Sequence, residues 1–199
     1  MQHAGVTDNV WQNRGMDVID PITGIHSQAL QCESPNCDAR PAGCLPDLIV
    51  VHGISLPPGE FGGPYIDQLF TNSLDPDAHP YFAEIKGLEV SAHFLIRRDG
   101  QLVQYVPISQ RAWHAGQSCH AGRDRCNDFS VGIELEGDDE VLYEDEQYAS
   151  LALLIKALRS TLPTLADADI VGHDEIAPGR KTDPGPAFHW SRLYALLGN

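Results

Sequence analysis

The chain has 199 residues, with 13 Lys+Arg against 28 Asp+Glu and a formal net charge of -15. That length suits one domain, whose folding removes roughly 70% of the extended surface from water, enough for a sizeable core. A 42% hydrophobic composition without any run of about 20 apolar residues excludes a disordered polyanion and a spanning helix, and the negative charge argues against nucleic acid, whose binding depends on Lys and Arg.

Residues 1–30 mix Gln, His, Asp, Asn and Gly with scattered Val and Ile. They lack the apolar run of roughly 7–15 residues of a secretory signal, so a cytoplasmic protein is expected. Met16 is a second possible start, and residues 1–33 are expected to form a partly irregular N-terminal extension ahead of a domain spanning 34–199. Leu48-Ile49-Val50-Val51-His52 predicts a buried strand that ends at Gly53. A glycine- and proline-rich loop follows, then a helix with Pro64 at its first position and Ile66, Leu69 and Phe70 at helical spacing. Asp75 to Pro80, with two prolines, is expected to be a loop.

Ser91 to Val106 predicts a hairpin around Asp99-Gly100, a dipeptide that tolerates the positive φ of a tight turn. Ser130 to Glu136 predicts a strand in which Val131, Ile133 and Leu135 alternate with Gly132, Glu134 and Glu136. Next comes a helix carrying Tyr148, Leu151, Leu154, Ile155 and Leu158, with acids at its start and Pro163 at its end. A short strand ends at Ile170-Val171, and a last helix is expected from about Ser191 to Leu197. Together these elements predict a single α/β domain with a central mixed sheet flanked by helices. The five cysteines, an odd number without a Cys-x-x-Cys pair, are expected to be reduced thiols.

His52 stands where a buried strand stops, and His173 and Asp183 bracket a loop rich in Gly and Pro. Two imidazoles and a carboxylate would leave the fourth tetrahedral position of zinc open for water, as in hydrolytic sites. Spacing alone favours ordinary structural roles for them, since lone histidines are usually structural. No His-Glu-x-x-His or Gly-x-Ser-x-Gly motif occurs. By pattern alone Glu134 and Glu136 belong to the solvated face of an amphipathic strand, and Lys181 is a surface lysine. His93 is expected to be a satisfied core histidine, and His79 to bond locally.

Several long segments carry a resemblance: His52-Gly53-Ile54-Ser55-Leu56-Pro57-Pro58-Gly59-Glu60-Phe61-Gly62, Arg111-Ala112-Trp113-His114-Ala115-Gly116, Gly132-Ile133-Glu134-Leu135-Glu136-Gly137 and Arg180-Lys181-Thr182-Asp183-Pro184-Gly185-Pro186. In this order they resemble the AmpD family of 1,6-anhydro-N-acetylmuramyl-L-alanine amidases, part of a wider group with phage amidases and peptidoglycan-recognition proteins. The resemblance runs from about Ser34 to Trp190. It implies a zinc amidase fold over 34–199, with Zn2+ held by His52, His173 and Asp183. Glu134 would be the general acid/base, Lys181 the stabiliser of the tetrahedral intermediate, and Trp113, His114, Arg125 and Asn127 the substrate-binding residues. The implied substrate is an anhydro-muropeptide, cleaved between its lactyl group and L-alanine during cytoplasmic peptidoglycan recycling. A lytic amidase of the polymeric wall and a non-catalytic recognition module are the alternatives. Relatives often carry Asn where this chain has Gly53, so no side-chain contact is implied there. Arg97, Arg98, Arg111, Arg123, Arg125, Arg180 and Lys181 fall in segments expected around the groove, which predicts a locally electropositive site.

Overall fold

The computed structural model describes residues 18–198. The idea that translation starts at Met16, and the structure of residues 1–15, lie outside the described residues. In chain order the elements are β1 (Leu30–Gln31), β2 (Cys37–Ala39), β3 (Leu48–Ile54), α1 (Tyr65–Phe70), α2 (Pro80–Glu84), β4 (Phe94–Ile96) and β5 (Leu102–Gln104). Then follow β6 (Gln110–Ala112), β7 (Cys119–His120), β8 (Arg123–Asp124), β9 (Ser130–Glu136), α3 (Asp145–Thr161), β10 (Asp169–Gly172), α4 (His173–Ile176) and α5 (Trp190–Leu197).

Six strands form one mixed sheet in the order β1-β5-β4-β9-β3-β10. Strands β4, β9, β3 and β10 run parallel, while β5 is antiparallel to β4 through the hairpin. The expected single α/β domain with a central mixed sheet is therefore present. Residues 18–33 are tied to this sheet: β1 adds to its edge and Ile19 is wholly buried.

Alternation along the two central strands divides the core. Ile49, Val51, Val131, Ile133 and Leu135 pack with Leu151, Leu154, Ile155 and Leu158 of α3 on one face. His52, Gly132 and Glu134, at the even positions, belong to the other face. There Leu48 and Val50 pack with Ala115, Cys126, Phe129 and Ile176, while α1 and α2 cover the hairpin through Ile66, Phe70 and Phe82. Helix α3 begins at Glu144, whose backbone N–H donates to Gln147 Oε1 at 3.0 Å in a capping box, and it stops before Pro163.

Several elements differ from expectation for local reasons. Pro64 caps α1 instead of occupying its first turn. Pro80 starts a helix within what looked like plain loop, because its missing N–H costs nothing there. The His79 Nδ1 accepts the Tyr81 N–H at 3.2 Å, the expected local bond. The hairpin pairs only three residues from each strand, and Gly100 takes φ +80 in its turn. All five cysteines are free thiols.

Strand β9 corrects the amphipathic picture, since all seven of its residues are buried. Glu136 is 1% exposed rather than solvated. Its carboxylate accepts the Gly62 N–H at 2.6 Å and the Arg98 N–H at 3.3 Å, and lies 3.6 Å from Arg97. The glutamate thus fastens the loop after β3 to the end of β9. Glu136→Ala leaves those donors without their acceptor and is expected to cost about 3 kcal/mol in urea unfolding. A change within about 0.5 kcal/mol, the usual size at an exposed position, would contradict this anchoring role.

Candidate active site and metal centre

His52 lies near the carboxyl end of β3, and His173 follows the carboxyl end of β10 as the first residue of α4. These strands are parallel neighbours, with Val51 opposite Gly172, so both imidazoles emerge at one end of the sheet, where ligands of α/β folds bind. Asp183 arrives from the loop after α4, which is tied back where the Asp174 N–H donates to the Asp183 carbonyl at 3.0 Å. The Nδ1 atoms of His52 and His173 stand 2.9 Å apart. Asp183 Oδ2 is 3.2 Å from the first and 3.0 Å from the second. One ligand atom from each residue therefore lies within 4.8 Å of the others.

Their charge states suit a cation. Burial pushes the His52 imidazole down to about 4, with the Asp183 carboxylate opposing the shift. Burial acts against ionisation of Asp183, yet His173 and His52 outweigh it and hold its carboxyl well below the usual range. At neutral pH His52 is uncharged beside an anionic carboxylate. Convergence of two imidazole nitrogens and a carboxylate oxygen gives a donor set that fits a divalent metal ion.

Glu134 pairs with His52 in the β3–β9 register and presents its side chain on the same face. It is buried, and Oε2 has no hydrogen-bond partner. Burial, then the charge of Asp183, raises its pKa well above the ordinary glutamate value, while Lys181 acts in the opposite sense. Lys181 itself is exposed on the loop that delivers Asp183, near enough for its charge to act on both Glu134 and His52.

The remaining expected residues are dispersed. Trp113 donates its Nε1–H to Asp38 at 3.2 Å. Arg125 is 70% exposed, with a left-handed φ of 63 and its Nε 3.4 Å from Asp128. His114 and Asn127 are committed to internal bonds. His114 Nδ1 lies 2.9 Å from His52 Nε2, and Asn127 Oδ1 accepts the N–H groups of His114 and Ala115 at 3.1 and 2.8 Å. His93 is a satisfied core histidine, accepting the Gly132 N–H at 3.0 Å and facing the Gln110 carbonyl at 3.1 Å.

Tyr143 belongs to the site without having been singled out in the sequence. Its hydroxyl donates to the Pro184 carbonyl at 3.0 Å, and a Cβ on Gly53 would overlap that hydroxyl. This overlap is a physical reason for glycine after the first ligand. An apolar-bodied residue within an otherwise acidic stretch was the available signal. The expected electropositive margin is mostly neutralised: Arg97, Arg98, Arg111 and Arg123 pair with Asp67, Glu144, Asp38 and Asp47, respectively. Arg180 instead donates to the carbonyls of Ala115 and Gln117 at 2.6 and 2.7 Å.

Residues 42–186, which include the whole cluster, match the family model described as N-acetylmuramoyl-L-alanine amidase. The chain is 59% identical over 177 residues to the 1,6-anhydro-N-acetylmuramyl-L-alanine amidase AmpD of Salmonella typhimurium, covering 89% of this chain and 94% of that one. A crystal structure of a selenomethionine derivative of AmpD superimposes with a TM-score of 0.86 at 57% identity, covering 90% of this chain and 98% of the other. The E. coli amidase AmiD, solved with anhydro-N-acetylmuramic acid-L-Ala-D-γ-Glu-L-Lys, is more distant, with a TM-score of 0.54 and 28% identity over 79% of this chain and 60% of its own. Matching this fold and, over most of its length, the sequences of these amidases, the chain belongs to the N-acetylmuramoyl-L-alanine amidase family.

Proposed function

We propose that this amidase hydrolyses the bond between the lactyl group of 1,6-anhydro-N-acetylmuramic acid and L-alanine of muropeptides, in cytoplasmic peptidoglycan recycling. Its catalytic domain would span residues 34–199, and zinc would be its metal, held by His52, His173 and Asp183. The observation that carries this reading is the convergence of those three ligand atoms within 4.8 Å beside a buried glutamate whose Oε2 is unpartnered. The printed activity of the AmpD relatives supports the choice of bond. The AmiD complex with an anhydro-muramyl peptide supports the choice of substrate class.

Zinc supplies Lewis acidity, which lowers the pKa of water from about 16 toward about 7 and polarises a carbonyl oxygen. The chain's own groups account for the proton transfers. As water oxygen attacks the lactyl carbonyl carbon, Glu134 takes its proton on a carboxylate made more basic by burial. The Lys181 ammonium then offers a hydrogen bond to the oxyanion, a contribution commonly of about 3–4 kcal/mol. Glu134 returns the proton to the alanine nitrogen as the carbon–nitrogen bond breaks, and the second water proton passes from the new carboxyl group to the amine, leaving a lactyl carboxylate and the alanine ammonium. Trp113 and Arg125, at the exposed margin, are the proposed contacts for the muropeptide; His114 and Asn127 were expected there too, and their bonds direct them inward.

Purified enzyme incubated with anhydro-muropeptide, with and without a chelator, and separately with intact sacculi, tests the proposal. Chelator-sensitive release of peptide from the small substrate is expected, far exceeding release from sacculi. Preferential solubilisation of sacculi would favour the lytic alternative, and binding without cleavage the recognition module.

A further inference from the structure

Proton accounting behind the cluster gives His114 and its neighbour a different task from contacting substrate. Ser130 Oγ lies 2.6 Å from the Cys126 carbonyl, which can only accept, so the serine hydrogen is spent there. At 3.1 Å the Ser130 oxygen must then accept from His114 Nε2–H. His114 Nδ1 is therefore the bare nitrogen, and at 2.9 Å it accepts from His52 Nε2–H. This leaves the lone pair of His52 on Nδ1, the atom that faces His173 and Asp183. On the other side the Ala115 carbonyl, 3.3 Å from His173 Nε2, takes that proton and leaves the second lone pair on Nδ1 as well. Arg180 approaches His173 Nε2 only at 3.5 Å and spends its N–H on the Ala115 and Gln117 carbonyls.

We infer that the dipeptide His114-Ala115 is the outer support of the metal centre, with Ser130 and Asn127 as positioning residues, and that it sets both imidazoles to present Nδ1 inward. Asn127 holds both members of the pair through one oxygen, and the His114 ring lies against Gly132, where a Cβ would overlap it. Ser130, Gly132 and Glu134 thus share one face of β9: the first orients the ring, the second makes room for it, and the third faces the reaction. The inference rests on the proposed identity of the cluster as a metal centre.

Zinc affinity of the metal-stripped full chain, measured by competition with a chromophoric chelator, provides the test. His114→Phe, Ser130→Ala and Asn127→Leu are expected to weaken zinc by about 10–100-fold, the usual cost of losing such a partner. Asn127→Asp keeps an acceptor for both N–H groups and is expected to stay within about threefold of the parent. Long-range proton–nitrogen spectra of the parent should show His114 protonated on Nε2, a readout that needs no variant to fold. Parent-like zinc affinity in His114→Phe and Asn127→Leu, or a proton on His114 Nδ1, would overturn the inference alone. Failure of the parent to bind about one zinc per chain would overturn the metal-centre reading and the inference with it.

Discussion

Asp183→Ala is expected to abolish zinc binding and activity together while leaving the sheet folded. The substitution would remove the one carboxylate of the proposed donor set, and two imidazoles alone hold a dication poorly. The loss should exceed the about 100-fold weakening caused by losing an outer partner, because a donor itself disappears. Asp183 sits on a loop, not in a strand, and among the described residues its carboxylate has hydrogen-bond partners only in His52 and His173. Its backbone carbonyl, which accepts from the Asp174 N–H at 3.0 Å, survives the change. Elemental analysis after dialysis, beside far-ultraviolet circular dichroism, separates loss of metal from loss of fold. Full zinc retention in the variant would refute the assignment of Asp183 as a ligand.

Glu134→Gln is expected to keep zinc and lower turnover by about 10²–10⁴-fold, the range for removing a positioned general acid/base. The amide is nearly isosteric with the carboxylate but carries no proton between water and the leaving nitrogen. Stability should move the other way. Burial raises the folded-state pKa of Glu134 above its unfolded value. Between the unfolded and folded values the native state therefore binds more protons than the unfolded chain, so stability falls as pH rises through that window and the cost of ionising Glu134 is complete above it. Neutral glutamine removes this cost, so the metal-free variant should melt higher at neutral pH, a trade of stability for activity. Turnover within about threefold of the parent would place the acid/base on another residue.

Much of this arrangement is visible in the bare sequence. The β-branched run before His52, the alternating apolar residues of Ser130–Glu136 and the three-four spacing of α3 specify the two central strands and the helix against them. Local pattern misjudged the polar positions of β9, because alternation normally marks a sheet with one solvated face, whereas here the face carrying Glu134 and Glu136 is covered as well. Glu134 and Glu136 then lie in separate buried environments: one unpartnered at Oε2, the other fastening a loop. His114 stood in a recognisable motif and Asn127 within the span of the resemblance, yet the direction of each side chain depends on bonds across 62 and 13 residues of chain, which no local pattern encodes. Likewise the carboxylate partners of Arg97, Arg111 and Arg123 lie 30, 73 and 76 residues away, so the charge of the margin could not be summed from neighbouring positions.

The three donor residues of the cluster come from distant parts of the chain. His52 is separated from His173 by 121 positions and from Asp183 by 131. An unfolded chain must close loops of that size to gather the same three donors, at an entropic cost that rises with the logarithm of loop length. Metal bound at the cluster consequently acts on the native state almost alone, and its binding free energy adds to folding. With five free thiols and no disulfide among the described residues, the ion would provide a reversible cross-link that sulfur does not. If the proposed site is filled, the protein's resistance to heat and proteolysis is expected to follow the concentration of free metal around it.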